Sequence, residues 1–135
     1  MIKGISKIRV RYGETDRMQY LHHGNYALYY EEARSNLLRE FGISYREIED
    51  AGVIMPLIEM NSKFFVPALY DEILTVHTYV REEPKVKFRF DYEIFNEKKE
   101  LVNKGYTILV FVDNKTRKPI RTPVFFQDFF NKSKI

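Results

Sequence analysis

The sequence predicts an α+β fold, an antiparallel sheet of about five strands wrapped around one long central helix, and three observations predict it. One segment, Tyr26 to Phe41, carries an apolar stripe at helical spacing. One segment ahead of it and four behind it alternate or run apolar in the manner of strands. The connections between the later strands are short and polar, which suits hairpins rather than crossovers. A lone helix amid consecutive strands argues for a sheet curved around that helix. The 135 residues, 44% of them hydrophobic, form one domain over 1–135. Eleven Phe and ten Tyr supply the core.

The first strand is expected from Ile5 to Tyr12, where Ile8, Val10 and Tyr12 alternate with Arg9 and Arg11. Gly13 to Arg17 breaks the pattern, and a polar loop runs on to His22-His23-Gly24-Asn25. The helix follows, with Tyr26, Tyr30, Ala33, Leu37 and Phe41 on the core face and Glu31, Glu32, Arg34, Ser35, Asn36, Arg39 and Glu40 on the solvent face. Glu31 and Arg34 stand at pairing distance along the helix, Asn25 is the candidate N-cap and Gly42 the candidate stop. A helical turn is expected from Tyr45 to Ala51. Strands are expected over Ile54 to Val66, Ile73 to Val80, Val86 to Phe95 and Leu101 to Val112, with Gly105 marking a bulge or a close approach. The Pro123 to Lys132 tail has Phe125, Phe126, Phe129 and Phe130 at helical spacing; an aromatic plug on an exposed sheet edge is favoured over a closing helix.

Several functions are excluded early. There is no Cys, so disulfides, thiolate-held zinc and a cysteine nucleophile are absent. His22 and His23 are adjacent and no HExxH occurs, so a zinc hydrolase lacks its ligand set. No GxGxxG, GxxxxGK[ST] or GxSxG is found. The net charge of +3 is interspersed and no nucleic-acid module appears. No signal peptide or membrane span is expected, and a cytoplasmic location follows.

The chemistry concentrates between Tyr12 and Arg34, where two carboxylates and two histidines precede a helix N-terminus. Amides at such a terminus can bind the oxygen of a polarised carbonyl, and a carboxylate in the same loop can attack that carbonyl or activate water. Together they make an acyl-transfer site. The plainer alternative is that Asp16 forms a turn or cap and the histidines are surface residues.

Tyr12-x-Glu14-Thr15-Asp16-x-Met18, then His23-Gly24-Asn25-Tyr26, then Tyr29-x-Glu31-x-Ala33-Arg34, resembles the signature of the hotdog-fold acyl-CoA thioesterases, in the YbgC-like branch of the 4-hydroxybenzoyl-CoA thioesterase family. The resemblance continues through Pro67, Asp71, Lys87-Phe88-Arg89-Phe90 and Lys118 to Pro123. It implies a hotdog fold and hydrolysis of an acyl-CoA thioester, with no metal or other cofactor. Asp16 falls on the family's catalytic carboxylate, as nucleophile or general base, and His23 on the position whose backbone N–H polarises the carbonyl. Glu31 is expected first as a partner of Arg34 and second as a catalytic residue. Asn25, Lys87 and Arg121 are the substrate-binding candidates, the two cations for the phosphates of coenzyme A. Gln19 stands where the family has Gly, which bears on the loop's shape and the acyl entrance. The partners implied are an acyl-CoA or an acyl carrier protein, and a second copy of the chain in a homodimer or dimer of dimers that completes the site. Two rival functions share this fold: dehydration or hydration of a 3-hydroxyacyl thioester through His23 and Glu31, and a non-catalytic module that binds acyl carriers.

Overall fold

The N-terminal alternation becomes β1 (Ile2–Arg9), which turns Ile2, Gly4, Ser6 and Ile8 inward and Lys3, Ile5, Lys7 and Arg9 outward. The strand thus starts and ends three residues earlier than the pattern around Arg9 and Arg11 indicated. Val10 remains fully buried, but the chain then leaves the sheet through a 3-10 turn at Tyr12–Glu14. Tyr12 is consequently exposed, edge-on to the ring of Tyr70. The computed structural model describes residues 1–133.

A second 3-10 turn, His23–Asn25, leads into α1 (Tyr26–Glu40). Tyr26, Tyr30, Ala33 and Leu37 are buried as the stripe requires and Tyr29 and Leu38 widen it, but Phe41, expected on the core face, is the C-cap and is exposed. Gly42, at φ 84°, ends the helix: its N–H donates to the Arg39 carbonyl and that of Ile43 to the Leu38 carbonyl, the two bonds of a Schellman stop. The expected Glu31–Arg34 ion pair does not form. Arg34 is buried instead, its guanidinium drawn inward by the hydroxyls of Tyr45 and Tyr92. The short α2 (Tyr45–Asp50) is capped by the Ser44 hydroxyl, which accepts from the Glu47 N–H.

The expected run from Ile54 to Val66 divides at Pro56, which has no N–H to give a ladder. Its first part is β2 (Val53–Ile54) and its second β3 (Leu57–Phe64). Then come β4 (Ile73–Val80), β5 (Lys87–Phe95), β6 (Leu101–Val110) and β7 (Val112–Asp113). The main sheet has the order β1-β4-β5-β6-β3, antiparallel throughout, and β2 pairs with β7 apart from it. On β5, Phe88, Phe90, Tyr92 and Ile94 are fully buried. Tyr30 of α1 stacks on Tyr92 with ring centroids 4.2 Å apart.

Gly105 marks a close approach. A Cβ there would collide with the Asn61 carbonyl and the Tyr30 hydroxyl, which bonds Asn103 and Ser62. Gly105→Ala is expected to cost about 1–3 kcal/mol through this overpacking, read as a lower denaturant midpoint.

The tail forms α3 (Val124–Ser133). Its Phe126 and Phe130 pack on Phe88, and Phe126 also on Phe111. Phe88 belongs to a central strand, so these rings close one end of the core and do not plug a sheet edge, correcting the expectation. The outer edge of β3 is unpaired among the described residues, and Leu57, Ile58, Met60 and Phe64 are exposed along it.

Candidate active site

The loop after β1 is built on a buried carboxylate. Glu14 is 8% exposed, and its Oε1 accepts from the Arg11 N–H at 2.9 Å and the Tyr29 hydroxyl at 2.7 Å. Oε2 accepts from the Arg11 guanidinium at 3.0 Å. Burial by itself pushes this carboxyl up, but the Arg11 and Tyr29 hydrogen bonds outweigh it and leave Glu14 below the usual carboxylate value. The Glu14 carbonyl in turn accepts from the His22 N–H and from Asn25 Nδ2. One residue therefore ties the loop to the start of α1. Sequence reasoning missed this role; the spacing Arg11-x-x-Glu14 ahead of a turn is the capping signal that could have found it.

Asn25 stands at the N-cap position as expected but makes no side-chain cap bond: its amide reaches back eleven residues to the Glu14 carbonyl. It holds the loop against the helix.

Beyond Glu14 the loop folds on itself. Thr15 bridges to Leu21, the Asp16 N–H donates to the Tyr20 carbonyl at 2.9 Å and the Gln19 N–H to the Asp16 carbonyl at 3.0 Å. Leu21 and Tyr70 bind it to the segment before β4 through Leu21 N–H to Ala68 and Tyr70 N–H to Gln19. Gln19 closes the turn at φ 66°, a left-handed conformation that glycine adopts without penalty. A glycine, which the resemblance implies at this position, would take this conformation freely, and Gln19 holds it at a backbone cost. Gln19→Gly is expected to leave the loop in place and raise stability by about 1 kcal/mol, visible as a higher Tm at unchanged kcat.

Asp16 is half-buried and its two oxygens differ. Oδ1 accepts from the Met18 N–H at 2.8 Å and the Tyr20 N–H at 3.2 Å, so the turn-forming role is present. Oδ2 has no hydrogen-bond partner among the described residues.

The amides before α1 are divided in the same way. Gly24 N–H donates to His22 Nδ1 at 3.0 Å and Asn25 N–H to the His22 carbonyl at 2.9 Å. The His23 N–H has no acceptor among the described residues. Its imidazole is exposed and stacks on His22 at 4.2 Å.

Asp16 and His23 line one cavity of about 260 Å³, together with Leu21, Tyr26, Phe64 and Phe65. Burial pushes the Tyr26 hydroxyl up to about 12, so it stays protonated at neutral pH. A carboxylate and an amide without an acceptor, on residues that line one small cavity, suit attack by the carboxylate or by water on a carbonyl whose oxygen rests on the amide.

Lys87 and Arg121 lie elsewhere in the chain. Lys87 opens β5 opposite Val110, whereas the Asp16 loop adjoins the end where Phe95 meets Leu101, roughly 26 Å away along the strand. Arg121 adjoins Thr122, whose N–H donates to the Lys85 carbonyl at that same far end. Glu31 lines clefts on α1 that do not include His23. Among the described residues no three His, Asp or Glu side chains stand together as metal ligands, and no helix is long and apolar enough to cross a membrane.

The sequence model of the Thioesterase-like superfamily matches residues 10–130. The putative acyl-CoA thioesterase YneP of Bacillus subtilis is 33% identical over 123 residues, covering 91% of this chain and 89% of that one. The acyl-CoA thioester hydrolase YbgC of Escherichia coli is 28% identical over 116 residues, 86% of this chain and 87% of that one. The crystal structure of the DHNA-CoA thioesterase from Staphylococcus aureus superposes with a TM-score of 0.93 at 36% identity, covering 99% of this chain and 92% of that one. With the sheet wrapped around α1 and the Asp16 loop set at its N-terminus, the chain belongs to the thioesterase-like superfamily and has the hotdog fold.

Proposed function

We propose that the protein hydrolyses an acyl-CoA thioester to the free acid and coenzyme A. The observation that carries this reading is that Asp16, whose Oδ2 has no hydrogen-bond partner among the described residues, and His23, whose N–H has no acceptor among them, line one cavity. The thioester oxygen rests on the His23 N–H at the positive end of α1. Asp16 then acts in one of two ways. It attacks the carbonyl carbon, forming an acyl anhydride that water opens, or it takes the proton of a water that attacks directly. In both routes the C–S bond breaks and the thiolate leaves with little need of a proton. Neither route calls on a metal or other cofactor.

A second copy of the chain completes the site. The cavity that Asp16 shares with His23 is smaller than the roughly 300–1,000 Å³ of ordinary ligand pockets, although Asp16 also borders a cleft of about 710 Å³ with Tyr12 and Tyr70, and the β3 edge beside it is unpaired among the described residues and exposes Leu57, Ile58, Met60 and Phe64. Antiparallel pairing of two β3 edges sets the Leu57 end of one chain beside the Phe64 end of the other. It thereby carries Lys87 and Arg121 of one subunit toward the Asp16 cavity of its neighbour. The assembly is a homodimer or a dimer of dimers. Charge reversal at Lys87 and Arg121 together is expected to raise KM for acyl-CoA at least tenfold with kcat little changed, measured by steady-state kinetics.

The rival dehydratase chemistry needs His23 beside Glu31, but His23 lies in the turn before α1 and lines a cavity without Glu31, which lines other clefts on α1. A panel of acyl-CoA and acyl carrier protein thioesters, from short aliphatic to aromatic, tests the proposal by thiol release. Hydrolysis of one class above the others is expected. A flat, inactive panel returns the chain to the role of an acyl-carrier-binding module.

A further inference from the structure

Arg34 is a buried cation that the proposed reaction does not use. It is 8% exposed, and its guanidinium meets only hydroxyls: Nε donates to Tyr45 at 3.0 Å and Nη1 to Tyr92 at 3.4 Å. No carboxylate pairs with it among the described residues, and Nη2 has no protein acceptor. A guanidinium taken out of water is normally compensated by an anion, and two neutral phenols do not supply one.

Arg34 lines a cleft of about 640 Å³ between α1 and α2, a volume ordinary for small-molecule sites. The lining is mostly polar, with an apolar patch at the half-buried Ile54 and Met55, while Ile48 and Leu109 are almost wholly buried, and the cleft shares no residue with the cavity that Asp16 and His23 line. Glu31, Arg39 and Glu49 also reach it, but all three are exposed and screened by solvent. The buried guanidinium acts through a lower dielectric and dominates what the cleft attracts.

We propose that this cleft binds an organic carboxylate, whose oxygen accepts from Arg34 Nη2 and whose hydrocarbon part lies on Ile54 and Met55. A carboxylate fits the planar donor set of a guanidinium, and a short hydrocarbon body fits the patch at Ile54 and Met55. The site stands apart from Asp16 and does not depend on hydrolysis. Acids released from thioesters and acids of other origin share this chemistry.

Calorimetric titration of the full chain with octanoate, octanamide and benzoate tests the site. Octanoate is expected to bind once per chain and at least tenfold more tightly than octanamide, equally in wild type and Asp16→Asn. Arg34→Gln weakens octanoate at least tenfold. Ile54→Trp, which fills the cleft and leaves Arg34 and both tyrosines untouched, does the same and carries the test if Arg34→Gln does not fold. Tightest binding of the acid that matches the best thioester substrate identifies a product site; tightest binding of any other acid identifies an independent ligand. No octanoate binding to wild type, equal binding of octanamide, or undiminished binding in Ile54→Trp overturns the proposal.

Discussion

Asp16→Asn is expected to leave the fold intact and lower kcat by about 10²–10⁴. The substitution is a clean one because the two oxygens of Asp16 do different work. Asparagine keeps an acceptor at the Oδ1 position, so the bonds from the Met18 and Tyr20 amides survive and the loop keeps its turn. What is lost is the free Oδ2, replaced by an NH₂ that can neither attack a carbonyl nor take a proton from water. Asp16→Ala removes the turn bonds as well and is expected to lower stability by a further ~1 kcal/mol. Thiol release gives kcat, and the thermal midpoint shows whether the fold has held. Near wild-type turnover in a folded Asp16→Asn protein would remove Asp16 from the mechanism.

The elements legible in the sequence are those whose partner is the core itself. The stripe from Tyr26 to Leu37 and the alternation from Ile73 to Val80 record burial against one surface, and both appear where the periodicity puts them. Gly105 was legible for the same reason, since a glycine in a long strand signals a neighbour too close for a side chain. The residues that departed from expectation are those with distant polar partners. Arg34 sits at a solvent-face position, but Tyr45 and Tyr92, from α2 and β5, pull it inward. Asn25 has the composition of a cap and spends its amide on Glu14. Tyr12 continues an alternation that the Arg11–Glu14 turn has already ended. The phenylalanines of α3 have helical spacing, yet only the fold shows that they meet Phe88 at the end of the core. Of the candidate site, Asp16 and His23 stand out in the sequence and line one cavity, whereas the cations Lys87 and Arg121 lie at the far end of β5.

Glu14→Ala is expected to destabilise the protein by about 3 kcal/mol, the loss of hydrogen bonds to a buried charged group together with an unpaired Tyr29 hydroxyl. The denaturant midpoint measures it. The effect reaches the chemistry because the Glu14 side chain fixes the turn whose carbonyl holds His22 and Asn25, and with them the amide of His23. kcat therefore falls too, though less than in Asp16→Asn, since Asp16 keeps its own turn. The contribution of Glu14 also has a definite pH dependence. Its carboxyl titrates below the ordinary value in the folded chain, so the folded state favours the charged form. The resulting stability is fully present above the unfolded value of about 4.3 and is lost as pH falls through the lowered folded value. Unfolding of wild type and Glu14→Gln, compared from neutral to acid pH, is expected to show a stability gap that closes only in acid. A gap that stays constant through that range would mean that the clamp works by shape and hydrogen bonding alone, with the charge of Glu14 contributing nothing.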